Sequence, residues 1–136
     1  MNAVFVDTSF YQALLNPRDS WHETAVSFSQ EFRGQTITSE YVLCELGALM
    51  GQPHLRSLFL TFTETLTISP QVVILSASND HFRAGIQLFS NRLDKEWSLT
   101  DCISFSMMEG LRIAEALTFD HHFEQAGFQP LPLRHR

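Results

Sequence analysis

The stretch AVFVDTS, residues 3–9, contains a short apolar run that ends in an aspartate. A run of four apolar residues bounded by polar ones is typical of a strand that is buried on both faces of a sheet. A similar stretch, ALTFD, lies at residues 116–120. We therefore predict that each run is a strand and that an acid, Asp7 or Asp120, follows it directly.

Between these two runs the chain alternates helical and extended patterns. Segments 35–38 and 71–75 are further candidate strands, and the apolar spacing of the other segments predicts helices. Alternating strands and helices indicate an α/β fold, with a central parallel sheet of four to five strands covered on both faces. A length of 136 residues predicts one domain over residues 1–136. The predicted helices span residues 10–15, 20–32, 39–50, 53–66, 79–92 and 98–111, and a short helix near Phe123 precedes a weak edge strand at 128–131.

Four acids have positions that favour a shared site. The carboxyl ends of parallel strands meet at one edge of a sheet, so Asp7 and Asp120 are expected close together. Glu45 lies on the mostly apolar face of a predicted helix, where a charge is costly unless it is paired or bound to metal. Asp101 ends the S-x-x-D pattern of a capping box, so it caps a helix, faces the cleft, or does both. Glu45 also has the alternative of reaching solvent at the edge of its apolar stripe.

Convergence of these acids would favour a divalent cation. Carboxylates in one cleft repel one another unless a cation neutralises them. Ligands that are all oxygen favour Mg²⁺ or Mn²⁺ over Zn²⁺. Such a cation can activate water and hold phosphate oxygens, which suggests the hydrolysis of a phosphodiester.

The composition limits the other possibilities. The net charge of −6 and pI of about 5.4 argue against nucleic-acid binding through a generally basic surface. The basic residues are eight arginines and a single lysine, Lys95. Cys44 and Cys102 lie in apolar stretches, which predicts two buried thiols in a reducing cytoplasm. The sequence shows no signal-peptide pattern and no apolar run of membrane-spanning length, so a cytoplasmic protein without membrane contact is expected.

Several polar residues near the acids have open roles. His121 and His122 adjoin Asp120 and either contact metal or substrate or simply lie at the surface. Glu124 is a nearby acid to which no role is assigned, and Glu96 is interpreted as a solvated charge. The residues that either orient the carboxylates or only cap helices are Thr8, Ser9 and Thr100.

The motifs in order resemble those of a known family. The segments VDTS (residues 6–9), WSLTDCISF (97–105) and LTFDHHF (117–123) resemble the acidic motifs of PIN domains, and ALLN (13–16) resembles the segment that follows the first motif in bacterial VapC-type toxins. Glu45 stands where the helical acid of the family is expected. The resemblance covers nearly the whole chain.

This resemblance implies a three-layer α/β/α PIN fold and a Mg²⁺- or Mn²⁺-dependent endoribonuclease. Asp7, Glu45, Asp101 and Asp120 would form the catalytic metal site. The resemblance also implies a homodimer that acts on an RNA substrate as the toxin of a toxin–antitoxin module. The expected partner is a VapB-type antitoxin that fills the active-site groove.

Three alternatives stay open at this point. A phosphatase would need a second aspartate two residues after Asp7, where Ser9 stands, and a phospho-receiver would need a lysine at a strand end, whereas Lys95 precedes a helix. A non-catalytic PIN-fold binding module and a housekeeping RNA-processing nuclease are the other two. The apolar residues 58–60 and Phe62 are equally consistent with a dimer or antitoxin surface and with core.

Overall fold

The computed structural model describes residues 3–133, and its centre is a five-stranded parallel sheet. The strand order is β3-β2-β1-β4-β5, and every neighbouring pair is parallel. The predicted α/β class with a parallel sheet of four to five strands is therefore confirmed. The strands are β1 (Ala3–Val6), β2 (Gln35–Ser39), β3 (Val72–Leu75), β4 (Glu115–Leu117) and β5 (Gln129–Leu131).

Seven helices flank the sheet within the described residues. Their positions agree with the predicted segments, and most of the differences are one or two residues at the ends. The second helix begins at His22 rather than at Ser20, because the Asp19 carboxylate accepts a hydrogen bond from the Trp21 amide and closes a turn there (2.8 Å). The helices are α1 (Thr8–Leu15), α2 (His22–Glu31), α3 (Glu40–Leu49), α4 (Pro53–Ile68), α5 (Asn79–Asn91), α6 (Leu99–Leu111) and α7 (His122–Gln125).

The strand that carries the opening motif lies at the centre of the sheet. Val4, Phe5 and Val6 are each at most 1% exposed, as expected for a strand with both faces covered. The chain adds β2 and then β3 on one side of β1, and returns to add β4 and β5 on the other. Strand order thus reverses between β1 and β4, and this reversal opens a crevice at their carboxyl ends.

The fourth strand ends earlier than predicted. It was expected to continue to Phe119, but the ladder with β1 stops at Leu117. The Phe119 amide instead donates to the Ser9 hydroxyl at the start of α1 (2.9 Å). A side chain therefore replaces the backbone partner, and the chain turns toward the crevice two residues before the expected end.

One cysteine prediction is wrong. Cys102 is buried, but Cys44 is exposed. Val42 and Leu46 form the buried face of α3, and Cys44 lies two residues from each, which places it about 200° around the helix from both. The apolar neighbourhood of Cys44 in the sequence therefore did not indicate burial. No helix among residues 3–133 is long and apolar enough to cross a membrane.

Helices α5 and α6 approach each other closely at Gly85. A Cβ at this position would collide with the Ile103 side chain and lie 3.1 Å from the Ile103 Cα. We expect Gly85→Ala to lower the free energy of unfolding by roughly 1–3 kcal/mol, because the backbone of α6 has to shift. Chemical denaturation monitored by circular dichroism measures this change.

Gly110 provides the matched control for that variant. It lies in α6, is exposed, and has no atom within 4 Å of where a Cβ would be placed. Gly110→Ala should therefore leave the stability unchanged or raise it by up to about 1 kcal/mol through helix propensity. If both variants lost the same free energy of unfolding, the close approach of α5 and α6 at Gly85 would not be the cause of the loss.

Candidate active site

The four predicted acids line a single cleft of about 260 Å³ at the crevice between β1 and β4. Asp7 follows β1, Glu45 projects from α3, and Asp101 lies in the first turn of α6. Asp120 follows β4 after a two-residue turn. Residues far apart in the sequence therefore meet where the topology predicts a ligand site.

Asp7 is the most deeply buried of the four acids, with 3% of its surface exposed. Its Oδ2 accepts hydrogen bonds from the Ser9 hydroxyl (2.8 Å) and the Thr118 hydroxyl (3.0 Å). Burial raises the pKa of Asp7 to about 7; the two hydroxyls oppose this rise, and the charges of Asp101 and Asp120 add to it. A buried carboxylate with this pKa is ionised at neutral pH only at a cost that a bound cation would remove.

Thr118 is a site residue that the sequence analysis missed. Its hydroxyl donates to Asp7 Oδ2, accepts a hydrogen bond from the Asp120 amide (3.0 Å), and lies 3.1 Å from the Ser9 hydroxyl. Ser9 and Thr118 together tie the end of β1 to the turn after β4. The available sequence signal was a threonine inside an otherwise apolar run, two residues before the acid.

Asp101 has both of the roles that its sequence pattern allowed. The Ser98 hydroxyl accepts a hydrogen bond from the Asp101 amide (3.0 Å), and Asp101 Oδ2 accepts one from the Ser98 amide (3.1 Å), which completes a capping box. Asp101 also lines the cleft. Burial raises the pKa of this carboxyl, and the charge of Asp120 adds to the effect.

Glu45 lies on the cleft side of α3, half-buried, one turn before Leu49. Ser39 caps the start of this helix by accepting a hydrogen bond from the Val42 amide (3.2 Å). Within residues 3–133 the Glu45 carboxylate has no hydrogen bond or ion pair, so both of its oxygens remain for a ligand. Glu45 is half-exposed at the edge of the cleft, so the alternative in which it reaches solvent also stays open.

Glu96 was interpreted as a solvated charge, and this interpretation is incomplete. The residue is exposed, but it also lines the acid cleft. Its neighbour Trp97 is buried, donates from Nε1 to Gln125 Oε1 (3.0 Å), and has the Arg92 guanidinium 4.9 Å from its ring centre. Trp97 anchors the loop before α6, and this anchor brings Glu96 to the cleft. The only sequence signal was its position five residues before Asp101.

His122 also lines the cleft, while its neighbour His121 is mostly exposed. The His122 Nδ1 lies 3.0 Å from Asp101 Oδ2 and 3.2 Å from Asp120 Oδ1. Asp120 and the two histidines also have donor atoms within 4.8 Å of one another. Glu124 is exposed and is not among the residues that line the cleft.

The donor set fits a hard divalent cation. The hydrogen bonds to Asp7 and Asp101 go to Oδ2, and those to Asp120 go to Oδ1, so each carboxylate keeps a second oxygen. No lysine or arginine is among the residues that line this cleft in the described part of the chain. Several carboxylates without a lysine or arginine partner favour a bound cation, and oxygen donors suit Mg²⁺ or Mn²⁺.

A model of the PIN domain family matches residues 4–129. The chain belongs to the PIN domain family, and its fold is that of a PIN-domain nuclease. Among curated proteins it is 29% identical over 127 residues to the 23S rRNA-specific endonuclease VapC20 of Mycobacterium tuberculosis, covering 92% of this chain and 95% of the relative.

Solved structures agree with this assignment. The crystal structure of M. tuberculosis VapC20, described as a toxin that cleaves the sarcin-ricin loop, has a TM-score of 0.83 and 28% identity, covering 92% of this chain and 95% of that one. FitAcB from Neisseria gonorrhoeae (TM-score 0.67, 18% identity, 93% and 95% covered) and FitAB bound to an IR36 DNA fragment (0.71, 14%, 98% and 99%) show likeness of fold alone.

Proposed function

We propose that this protein is a metal-dependent endoribonuclease and the toxin component of a toxin–antitoxin module. The observation that carries the proposal is the single cleft that four acids from four different segments line. The relative named as a ribosomal RNA endonuclease supports RNA as the substrate class. Because the match covers 95% of that relative, we infer that ribosomal RNA is also the substrate of this protein.

Asp7, Glu45, Asp101 and Asp120 are the residues that would hold the metal. A bound Mg²⁺ or Mn²⁺ supplies a Lewis acid for the phosphate oxygens and lowers the pKa of an attacking water. Ser9 and Thr118 fix the Asp7 carboxylate from one side, so that its Oδ1 is left for the cation.

Cleavage of RNA with added metal tests this proposal. Purified protein, freed of any copurified partner, is incubated with ribosomes and with total RNA in Mg²⁺, in Mn²⁺ and in EDTA. We expect discrete cuts that need metal, and sequencing of the new ends then identifies the target. A folded protein that binds metal but cuts no RNA would instead favour a non-catalytic PIN-fold module.

The same cleft indicates the chemistry of an inhibitory partner. A cluster of carboxylates without a neighbouring lysine or arginine would accept an arginine guanidinium, which binds carboxylates through two parallel hydrogen bonds. A VapB-type antitoxin with such a segment is the proposed partner. Its gene is expected directly beside this one, and its absence there would favour the housekeeping RNA-processing alternative.

Phosphoryl transfer through Asp7 is the less favoured function. Ser9 occupies the position where a phosphatase carries its second aspartate, and its hydroxyl is used to hold Asp7. Lys95, the one lysine of the sequence, is not among the residues that line the acid cleft, so it does not supply the lysine of a phospho-receiver site.

We also propose a homodimer that forms through helix α5. The inner face of α5 packs on α6, whereas several apolar side chains on its outer face are exposed. Phe82, Ile86, Phe89 and, just beyond the helix, Leu93 are 43%, 40%, 47% and 90% exposed. We name these four residues the α5 stripe.

The spacing of the α5 stripe is symmetric. Intervals of four, three and four residues read the same in both directions, so two antiparallel copies related by a twofold axis place Phe82 opposite Leu93 and Ile86 opposite Phe89. A hollow of about 290 Å³ beside Phe82 and another of about 300 Å³ beside Leu93 could receive the end residues of the second copy. Asp80 and Lys95, equally far from the centre, would then have opposite charges facing each other.

Light scattering on two arginine variants tests this dimer. Ile86→Arg places a charge in the middle of the α5 stripe and should convert the dimer to a monomer, because a buried unpaired charge is costly. Leu60→Arg is the matched control on α4, where Leu60 is 59% exposed. A monomer from the Leu60 variant and a dimer from the Ile86 variant would place the interface on α4 instead.

A further inference from the structure

The imidazole of His122 occupies the space between two of the four acids. Its Nδ1 lies 3.0 Å from Asp101 Oδ2 and 3.2 Å from Asp120 Oδ1. Its side chain is 19% exposed, whereas that of His121 is 70% exposed. The cleft therefore presents one nitrogen donor among its oxygen donors, and that nitrogen faces the carboxylates.

The fold holds His122 in this position from several sides. Its own backbone amide donates to Asp120 Oδ1 (2.9 Å), which fixes the start of α7. The next residue, Phe123, is fully buried and packs edge-on against Phe105, with ring centres 4.8 Å apart. Gln125, at the end of the same short helix, is bonded to the buried Trp97. The backbone that carries the imidazole is thus fixed to the core and to the loop before Asp101.

We propose that His122 is a ligand of the active-site cation through Nδ1, and that it makes the site selective for Mn²⁺ over Mg²⁺. This inference rests on the proposed metal-dependent function, and it adds a residue to the metal site that the four acids form. A cation shared by Asp101 and Asp120 must lie beside both carboxylates, and Nδ1 is close enough to an oxygen of each to bind the same ion.

The selectivity follows from the chemistry of the two ions. Mg²⁺ keeps a nearly ideal octahedron of oxygen ligands and gives up its water reluctantly. As a transition ion, Mn²⁺ accepts an imidazole nitrogen more readily than Mg²⁺ does, because Mg²⁺ holds oxygen ligands and water. Exchange of one oxygen for Nδ1 should therefore favour Mn²⁺. The alternative is that the imidazole only fills the space between the carboxylates and turns away when the cation enters.

Pulsed electron paramagnetic resonance of bound Mn²⁺ separates these two possibilities. The probe is Mn²⁺ alone, added to the metal-free wild-type protein below one equivalent. A directly bound imidazole nitrogen produces a characteristic ¹⁴N modulation of the electron spin echo. We expect this modulation in the wild type, its loss in His122→Asn, and its retention in His121→Asn, which is the matched control.

Binding constants provide the second measurement. We expect His122→Asn to weaken Mn²⁺ binding about tenfold and to change Mg²⁺ binding less than about twofold, since only the Mn²⁺ complex depends strongly on the nitrogen. Calorimetry gives both values, and the echo experiment on the wild type needs no folded variant.

The outcomes distinguish failure of this inference from failure of the proposed function. Bound Mn²⁺ without nitrogen modulation in the wild type would overturn the role of His122 and leave the acidic metal site intact. Modulation that disappears in the His121 variant instead would move the ligand to that residue and would also overturn the inference. No Mn²⁺ binding at all would reject the metal-dependent function itself.

Discussion

Replacement of Asp101 by asparagine should lower metal-dependent RNA cleavage by about 10³-fold, equivalent to roughly 4 kcal/mol of lost transition-state stabilisation. The physical reason is the loss of one negative charge from the proposed metal site. An asparagine oxygen can still accept the hydrogen bond from the Ser98 amide, so the capping box at the start of α6 is retained. Single-turnover cleavage of RNA at saturating metal measures the effect.

The control for this variant is Glu64→Gln, which makes the same change from carboxylate to amide on an exposed position of α4. Its cleavage rate should equal that of the wild type. Circular dichroism and thermal unfolding should show that Asp101→Asn is folded. A folded Asp101 variant with wild-type activity would mean that this carboxylate has only its capping role.

Replacement of Asp7 by asparagine should stabilise the metal-free protein at pH 8 while removing its activity. Burial raises the pKa of the Asp7 carboxyl from 3.8 to about 7 in the folded protein. The folded state therefore binds this proton more tightly than the unfolded state does. Wild-type stability is complete below the lower of these two pKa values, falls as the pH rises between them, and is level above the higher one.

Asparagine at position 7 carries no charge, so the stability of the variant does not fall as the pH rises through this range. A change of about three pKa units corresponds to roughly 4 kcal/mol, which would raise Tm by roughly 10–20 °C at pH 8. The difference between variant and wild type should shrink toward zero as the pH falls to about 4. Thermal unfolding in EDTA across this pH range measures the effect, with Glu64→Gln again as the control.

Added metal should reverse the order of the two proteins. Saturating Mg²⁺ or Mn²⁺ stabilises the wild type, because the cation binds the folded state and favours the ionised carboxyl. The Asp7 variant should gain little. If the wild type were the more stable protein in EDTA at pH 8 as well, the buried carboxylate would not be the strained group that its surroundings indicate.

Both predictions describe one feature of the molecule, which is a site that is costly to form without its cation. Asp7 is buried beside Asp101 and Asp120, and the cleft contains no lysine or arginine among its described lining residues. Active sites commonly carry such destabilising charge clusters. The stability of this protein should consequently depend on metal far more than that of a nuclease with an open, solvated site.

The sequence by itself determined the class of fold and indicated the four acids that line one cleft. Two apolar runs that each end near an aspartate predict buried parallel strands, and parallel strands bring their carboxyl ends to one edge. The alternation of helices and strands then leaves few topologies. Local patterns were sufficient for Asp101 as well, because the S-x-x-D capping box depends only on residues within one turn.

Only the tertiary structure decided how the acids are held and what lies among them. The Ser9–Thr118 hydrogen-bond network joins residues 109 apart in the sequence, and it ends β4 two residues early. Glu96 reaches the cleft because its neighbour Trp97 is hydrogen-bonded to Gln125 of α7. Cys44 is exposed because it lies on the outer side of α3. The position of His122 between Asp101 and Asp120 likewise depends on contacts of α7 with distant segments. These features depend on contacts between distant segments, and local periodicity carries no information about such contacts.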